Sequence, residues 1–98
     1  MKKDLNEILL LLRNLLPHIS QRYYVTSIEV FGSYVRSQQN IDSDLDILVS
    51  FSKVPTLLKF VELKNYLSDK LELDVDLVMK DSLKPRIGQN ILNESIAV

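Results

Sequence analysis

Residues 27–51 read SIEVFGSYVRSQQNIDSDLDILVSF, and the fold turns on them. Ser27 to Phe31 is short, β-branched and apolar, so a buried strand is expected there. Gly32 and Ser33 follow directly. Ser33 to Ser37 is expected to form a short helix and Gln38 to Asp42 a loop. Asp44 to Phe51 then alternates. Leu45, Ile47, Val49 and Phe51 point one way, and Asp44, Asp46, Leu48 and Ser50 the other. Two residues apart on a strand, Asp44 and Asp46 send their carboxylates out from one face.

Working outward, Leu5, Ile8, Leu9, Leu12, Leu15 and Leu16 recur at three- and four-residue steps, which marks an amphipathic helix from Asp4 to Leu16. Asp4 followed by Glu7 suits its first turn. Pro17 is expected to end, kink or restart it, with a second piece reaching Tyr23. Pro55 is placed to open a helix to about Leu71, with Leu57, Phe60, Val61, Tyr66, Leu67 and Leu71 inward. Leu73 to Met79 alternates again, with Asp74 and Asp76 opposite Leu73, Val75, Leu77 and Met79. A last helix is expected from Lys84 or Pro85 to Glu94, and Ile96 to Val98 is a candidate edge strand. The long helical crossover between the second and third strands favours parallel pairing there. The expected architecture is α/β: one domain over residues 1–98, with a small mixed sheet flanked by helices.

Three carboxylates meet if the strand of Asp76 pairs with that of Asp44 and Asp46. Two like charges at ~4 Å repel by roughly 4 kcal/mol at an effective dielectric of 20. Lys53 and Lys80 lie beyond the ends of these strands, so a bound cation is the economical counter-charge. An all-oxygen donor set suits Mg²⁺ or Mn²⁺ rather than zinc. Gly32 lets a ligand approach the backbone closely, and Ser33 adds a hydroxyl. A phosphate cradle beside carboxylate-held metal is the layout of phosphoryl or nucleotidyl transfer. Alone, Gly-Ser reads as a turn and Asp-x-Asp as a solvated strand start; their joint spacing carries the weight. Asp74 is the rival for the third position.

The composition removes other classes. The chain has 98 residues, no cysteine and one histidine, His18, so thiolate chemistry is excluded and a histidine-based triad has one poor candidate. A net charge of −1 and the lack of a basic patch argue against direct nucleic-acid binding. No apolar run approaches the ~20 residues of a membrane span, and Asp4 and Glu7 interrupt any leader-like start. A cytoplasmic protein is expected. So small a domain leaves little room for a second substrate site, so the second substrate is expected on another macromolecule.

Gly32-Ser33-Tyr34-Val35-Arg36, Ser43-Asp44-Leu45-Asp46-Ile47-Leu48-Val49 and Val75-Asp76-Leu77-Val78 together resemble the minimal nucleotidyltransferases of the DNA polymerase beta superfamily. The resemblance is strongest to the MNT antitoxins that accompany HEPN toxins. It implies that Asp44, Asp46 and Asp76 hold Mg²⁺ at the triphosphate, with Asp76 also helping to deprotonate the attacking hydroxyl. It implies that Gly32 and Ser33 hold the β- and γ-phosphates. Arg36 has two open roles, phosphate contact or bracing the loop, and Ser43 has three: metal, loop or cap. The glycine usual after that arginine is replaced by Ser37. The implied function is an antitoxin that moves AMP from ATP to a tyrosine of a HEPN ribonuclease toxin, as a hetero-oligomer with it. Two alternatives stand beside it. One is a binding-only antitoxin; the other is a small-molecule nucleotidyltransferase, for which no residues remain to build a substrate site.

Overall fold

In a computed structural model, residues 4–36, 44–82, 91 and 93–98 are described. Helix α1 spans Leu5–Tyr23 and is followed by strand β1, Val25–Phe31. A single 3₁₀ turn, Gly32–Tyr34, leads toward β2, Leu45–Phe51. Helix α2, Leu57–Leu71, then crosses to β3, Val75–Met79, which a second 3₁₀ turn, Lys80–Ser82, closes. Strand β4 is Ile96–Ala97. The strand order is β3-β2-β1-β4. β1 is antiparallel to both β2 and β4, while β2 and β3 are parallel, as the helical crossover requires.

α1 opens where the Asp4 side chain accepts the Glu7 amide at 2.8 Å. It does not break at Pro17, which lies inside one continuous helix. Pro17 and Arg13 are both exposed, so the carbonyl that loses its amide partner faces water. α2 begins at Leu57 rather than Pro55. Thr56 is its cap, accepting the Lys59 amide at 3.2 Å.

Both helices lie over one face of the sheet. Ile8, Leu12 and Ile19 from α1 and Leu63, Leu67 and Leu71 from α2 bury against Ile28, Val30, Leu45, Ile47, Val49, Val75 and Leu77. The expected inward face of α2 is therefore partly wrong. Leu57 is 79% exposed and Val61 42%, while Leu63 is fully buried. This helix is apolar on two sides, and the sheet takes the Phe60–Leu63–Leu67–Leu71 side, leaving Val54, Leu57, Leu58 and Val61 to solvent.

β4 pairs with β1, and the Val98 amide donates to the Ile28 carbonyl at 3.0 Å. Ile91, Asn93 and Glu94 are helical. The rest of the expected final helix, with Lys84, Pro85, Ile87, Gly88 and Leu92, lies outside the described residues. Among the described residues, no helix is long and apolar enough to cross a membrane.

Candidate active site

The site forms where β1 ends and β2 begins. In the parallel register, Asp46 stands opposite Asp76, and on its other side it pairs with Phe31, the residue before Gly32. Asp46 and Asp76 therefore leave the same face, away from the helices. Asp76, not Asp74, is the in-register neighbour; the Asp74 backbone carbonyl instead accepts the Leu45 amide at 2.8 Å.

Gly32 has φ +82°, a conformation that side chains rarely adopt. A Cβ there would overlap the Asp46 carboxylate, with Cγ only 3.0 Å away. Only glycine allows the turn to close against this aspartate. The Gly32 carbonyl accepts the amides of Val35 at 3.1 Å and Arg36 at 3.2 Å, which closes the turn. In place of the expected short helix over Ser33–Ser37, the structure has a single 3₁₀ turn, Gly32–Tyr34, that holds Ser33; Ser37 lies outside the described residues. So short a turn carries almost no macrodipole, so phosphate binding here would rest on individual amides and the hydroxyl.

The electrostatics single out Asp46. Its pKa is pushed up to about 6, first by burial, then by the charges of Asp76 and Asp44, with Arg36 opposing. Asp44 is exposed at the strand start, close enough for its charge to act on Asp46. Among the described residues, no three His, Cys, Asp or Glu side chains close around one point as a finished metal cage. The pair Asp46–Asp76 is brought together by register, whereas Asp44 joins through its field. The donor chemistry fits a hard divalent cation: the donors are carboxylate oxygens, and the Asp46 carboxylate is held against its own ionisation by burial and then by like charges. Ser43 lies outside the described residues.

Two acidic residues near the site had no signal in the sequence. Glu94, 58 residues from Arg36, receives its guanidinium Nη1 at 3.1 and 3.3 Å. Glu29 sits two pairs along from Phe31, opposite Leu48, and accepts Lys80 Nζ at 2.9 Å and Ser95 Oγ at 2.8 Å. Burial pushes the Glu29 carboxyl up, but the hydrogen bonds from Lys80 and Ser95 outweigh it and leave its pKa below the usual value. Leu48, on this same face, is buried, so the face is not simply polar. His18 is an exposed helix residue stacked 5.3 Å from the Tyr66 ring and takes no part.

Residues 12–98 match the model of the nucleotidyltransferase domain family. A relative in Thermococcus cleftensis, protein adenylyltransferase MntA, is 52% identical over 80 residues, covering 82% of this chain and 81% of its own. A solved minimal nucleotidyltransferase superposes with a TM-score of 0.80 at 35% identity, covering 98% of this chain and 97% of that one. A second structure is a complex of a tri-AMPylated HEPN toxin with its MNT antitoxin from Shewanella oneidensis. It matches with a TM-score of 0.60 at 28% identity, covering 94% of this chain and 66% of that one. The mixed sheet with α1 and α2 on one face is thus the minimal nucleotidyltransferase fold. The chain belongs to the nucleotidyltransferase family, in the branch that holds the MntA antitoxins, and is a nucleotidyltransferase enzyme.

Proposed function

We propose that this chain is the antitoxin of a HEPN/MNT module and neutralises its partner toxin by Mg²⁺-dependent adenylylation. The acceptor is a hydroxyl of the toxin, a tyrosine by family resemblance, and ATP is the donor. The observation that carries this reading is the contact geometry at Gly32: a left-handed glycine closed against Asp46, with Asp76 in register beside it. The MntA relative and the AMPylated Shewanella toxin support the choice of AMP and of a protein acceptor.

Asp44, Asp46 and Asp76 would hold the metal, which supplies Lewis-acid stabilisation of charge on the phosphates. The chain's own groups do the rest. The Gly32 turn and the Ser33 hydroxyl hold the β- and γ-phosphates, and Arg36 adds a fixed positive charge. The Asp76 carboxylate takes the proton as the acceptor oxygen bonds to the α-phosphorus. The bond from that phosphorus to its bridging oxygen breaks, and pyrophosphate leaves. Residues 1–98 act as one domain in a hetero-oligomer with the toxin.

A binding-only role has one observation in its favour. Val54, Leu57 and Leu58 are each more than three-quarters exposed, an apolar strip suited to a partner surface. Incubation with ATP, Mg²⁺ and the partner HEPN protein, read by intact-mass spectrometry, separates the two. AMP-sized additions that vanish in Asp44→Asn/Asp46→Asn support transfer. A toxin that stays unmodified yet inhibited supports complex formation alone.

A further inference from the structure

Arg36 and Glu94 form an ion pair in an unusual place. It joins the residue just after the Gly32–Tyr34 turn to the C-terminal segment, with side chains 47% and 41% exposed. A pair that open to water contributes little to stability, so its geometry matters more than its energy. Both Glu94 oxygens engage a single nitrogen, Nη1, at 3.1 and 3.3 Å. A guanidinium has donors on three nitrogens. Among the described residues, Nε and Nη2 of Arg36 are left uncommitted by this grip. The cation also lies near enough to the carboxylates to act on Asp46.

We propose that Glu94 is a positioning residue for nucleotide binding: it holds the Arg36 guanidinium by Nη1 beside the Gly32–Ser33 turn, leaving Nε and Nη2 to receive phosphate oxygens of the nucleotide. The inference rests on the nucleotidyltransferase reading above. It resolves the two roles that the sequence left open for Arg36, since the same side chain braces and binds. A pre-placed fork loses less freedom on binding than a mobile one, and bidentate capture of phosphate needs its plane fixed.

The sign of one measurement decides it. Glu94 is itself an anion near a site for a polyanion, so deleting it would tighten nucleotide binding if its charge were all that counted. Positioning requires the opposite. The test is calorimetric titration of the full chain with AMP-PNP and Mg²⁺, for Glu94→Ala, Arg36→Ala and the double variant. Glu94→Ala is expected to raise Kd about three- to tenfold with the melting temperature unchanged. In the Arg36→Ala background, Glu94→Ala is expected to add nothing further. An unchanged or lowered Kd for Glu94→Ala overturns the inference, as does an equal effect without Arg36. If the unsubstituted chain binds no AMP-PNP, the nucleotide reading itself falls and takes the inference with it. Binding that ignores Glu94 removes the inference alone.

Discussion

At residue scale, Gly32 is constrained twice, by its positive φ and by the Asp46 carboxylate where a Cβ would go. Gly32→Ala is expected to cost about 1–3 kcal/mol in urea unfolding and to abolish adenylyl transfer, because the turn must open to admit the methyl. Asp46 gives a pH signature. Its folded pKa, about 6, lies above the unfolded value of 3.8. The neutral acid is thus the form the fold prefers. Its contribution is fully present below about pH 4 and is lost as pH rises through about 6. Asp46→Asn should therefore stabilise the protein at pH 7.5 while removing transfer. After allowance for solvent screening the gain is about 1 kcal/mol, or ~4–8 °C for a domain of this size. A melting curve that is lower than, or equal to, that of the parent at pH 7.5 would count against this account. The Asp46–Asp76 pairing was legible because strand alternation and parallel register fix which face these two leave, whereas Asp44 stands just before β2. Glu94 and Glu29 were not, because chain folding alone brings them to Arg36 and Lys80.

At the scale of the elements, α2 shows where periodicity stops informing. Apolar residues occupy two sides of it, and spacing alone does not say which side meets the sheet. Packing resolves this in favour of Leu63, Leu67 and Leu71. Leu67→Ala is expected to cost about 2–5 kcal/mol by leaving a cavity in the core. Leu58→Ala, at an exposed position, should stay within about 0.5 kcal/mol but weaken assembly with the toxin if the strip is a contact surface. Chemical denaturation of both variants checks the first contrast, and gel filtration with the partner checks the second. Pro17 misleads in a different way. Here the helix runs on through it, and the carbonyl that loses its amide partner is on the exposed side, where water can satisfy it. The parallel β2–β3 pairing, by contrast, was readable from the crossover, since a tight hairpin is the wrong length for it.

At the scale of the whole molecule, a small core leaves stability open to ligand linkage. A ligand held only by the folded state at 100 times its Kd adds about 2.7 kcal/mol. Saturating Mg²⁺ is therefore expected to raise the melting temperature by several degrees, and Asp46→Asn should blunt that rise. Thermal scans with and without EDTA check both. A metal-induced shift of equal size in Asp46→Asn would move the ion to another place in the fold.

The stretch from Glu94 to Val98 touches three separate things within five residues. Glu94 reaches Arg36, Ser95 reaches Glu29, and Ile96 to Val98 line the free edge of β1. Synthesis runs from the amino end, so a ribosome delivers the aspartates, the glycine turn and both helices well before this clasp emerges. Nascent chains stalled ahead of Glu94 should expose an unpaired β1 margin and a loosely held arginine. Ribosome-arrested intermediates of increasing length, probed by limited proteolysis, are expected to gain protection abruptly once this closing stretch clears the exit tunnel.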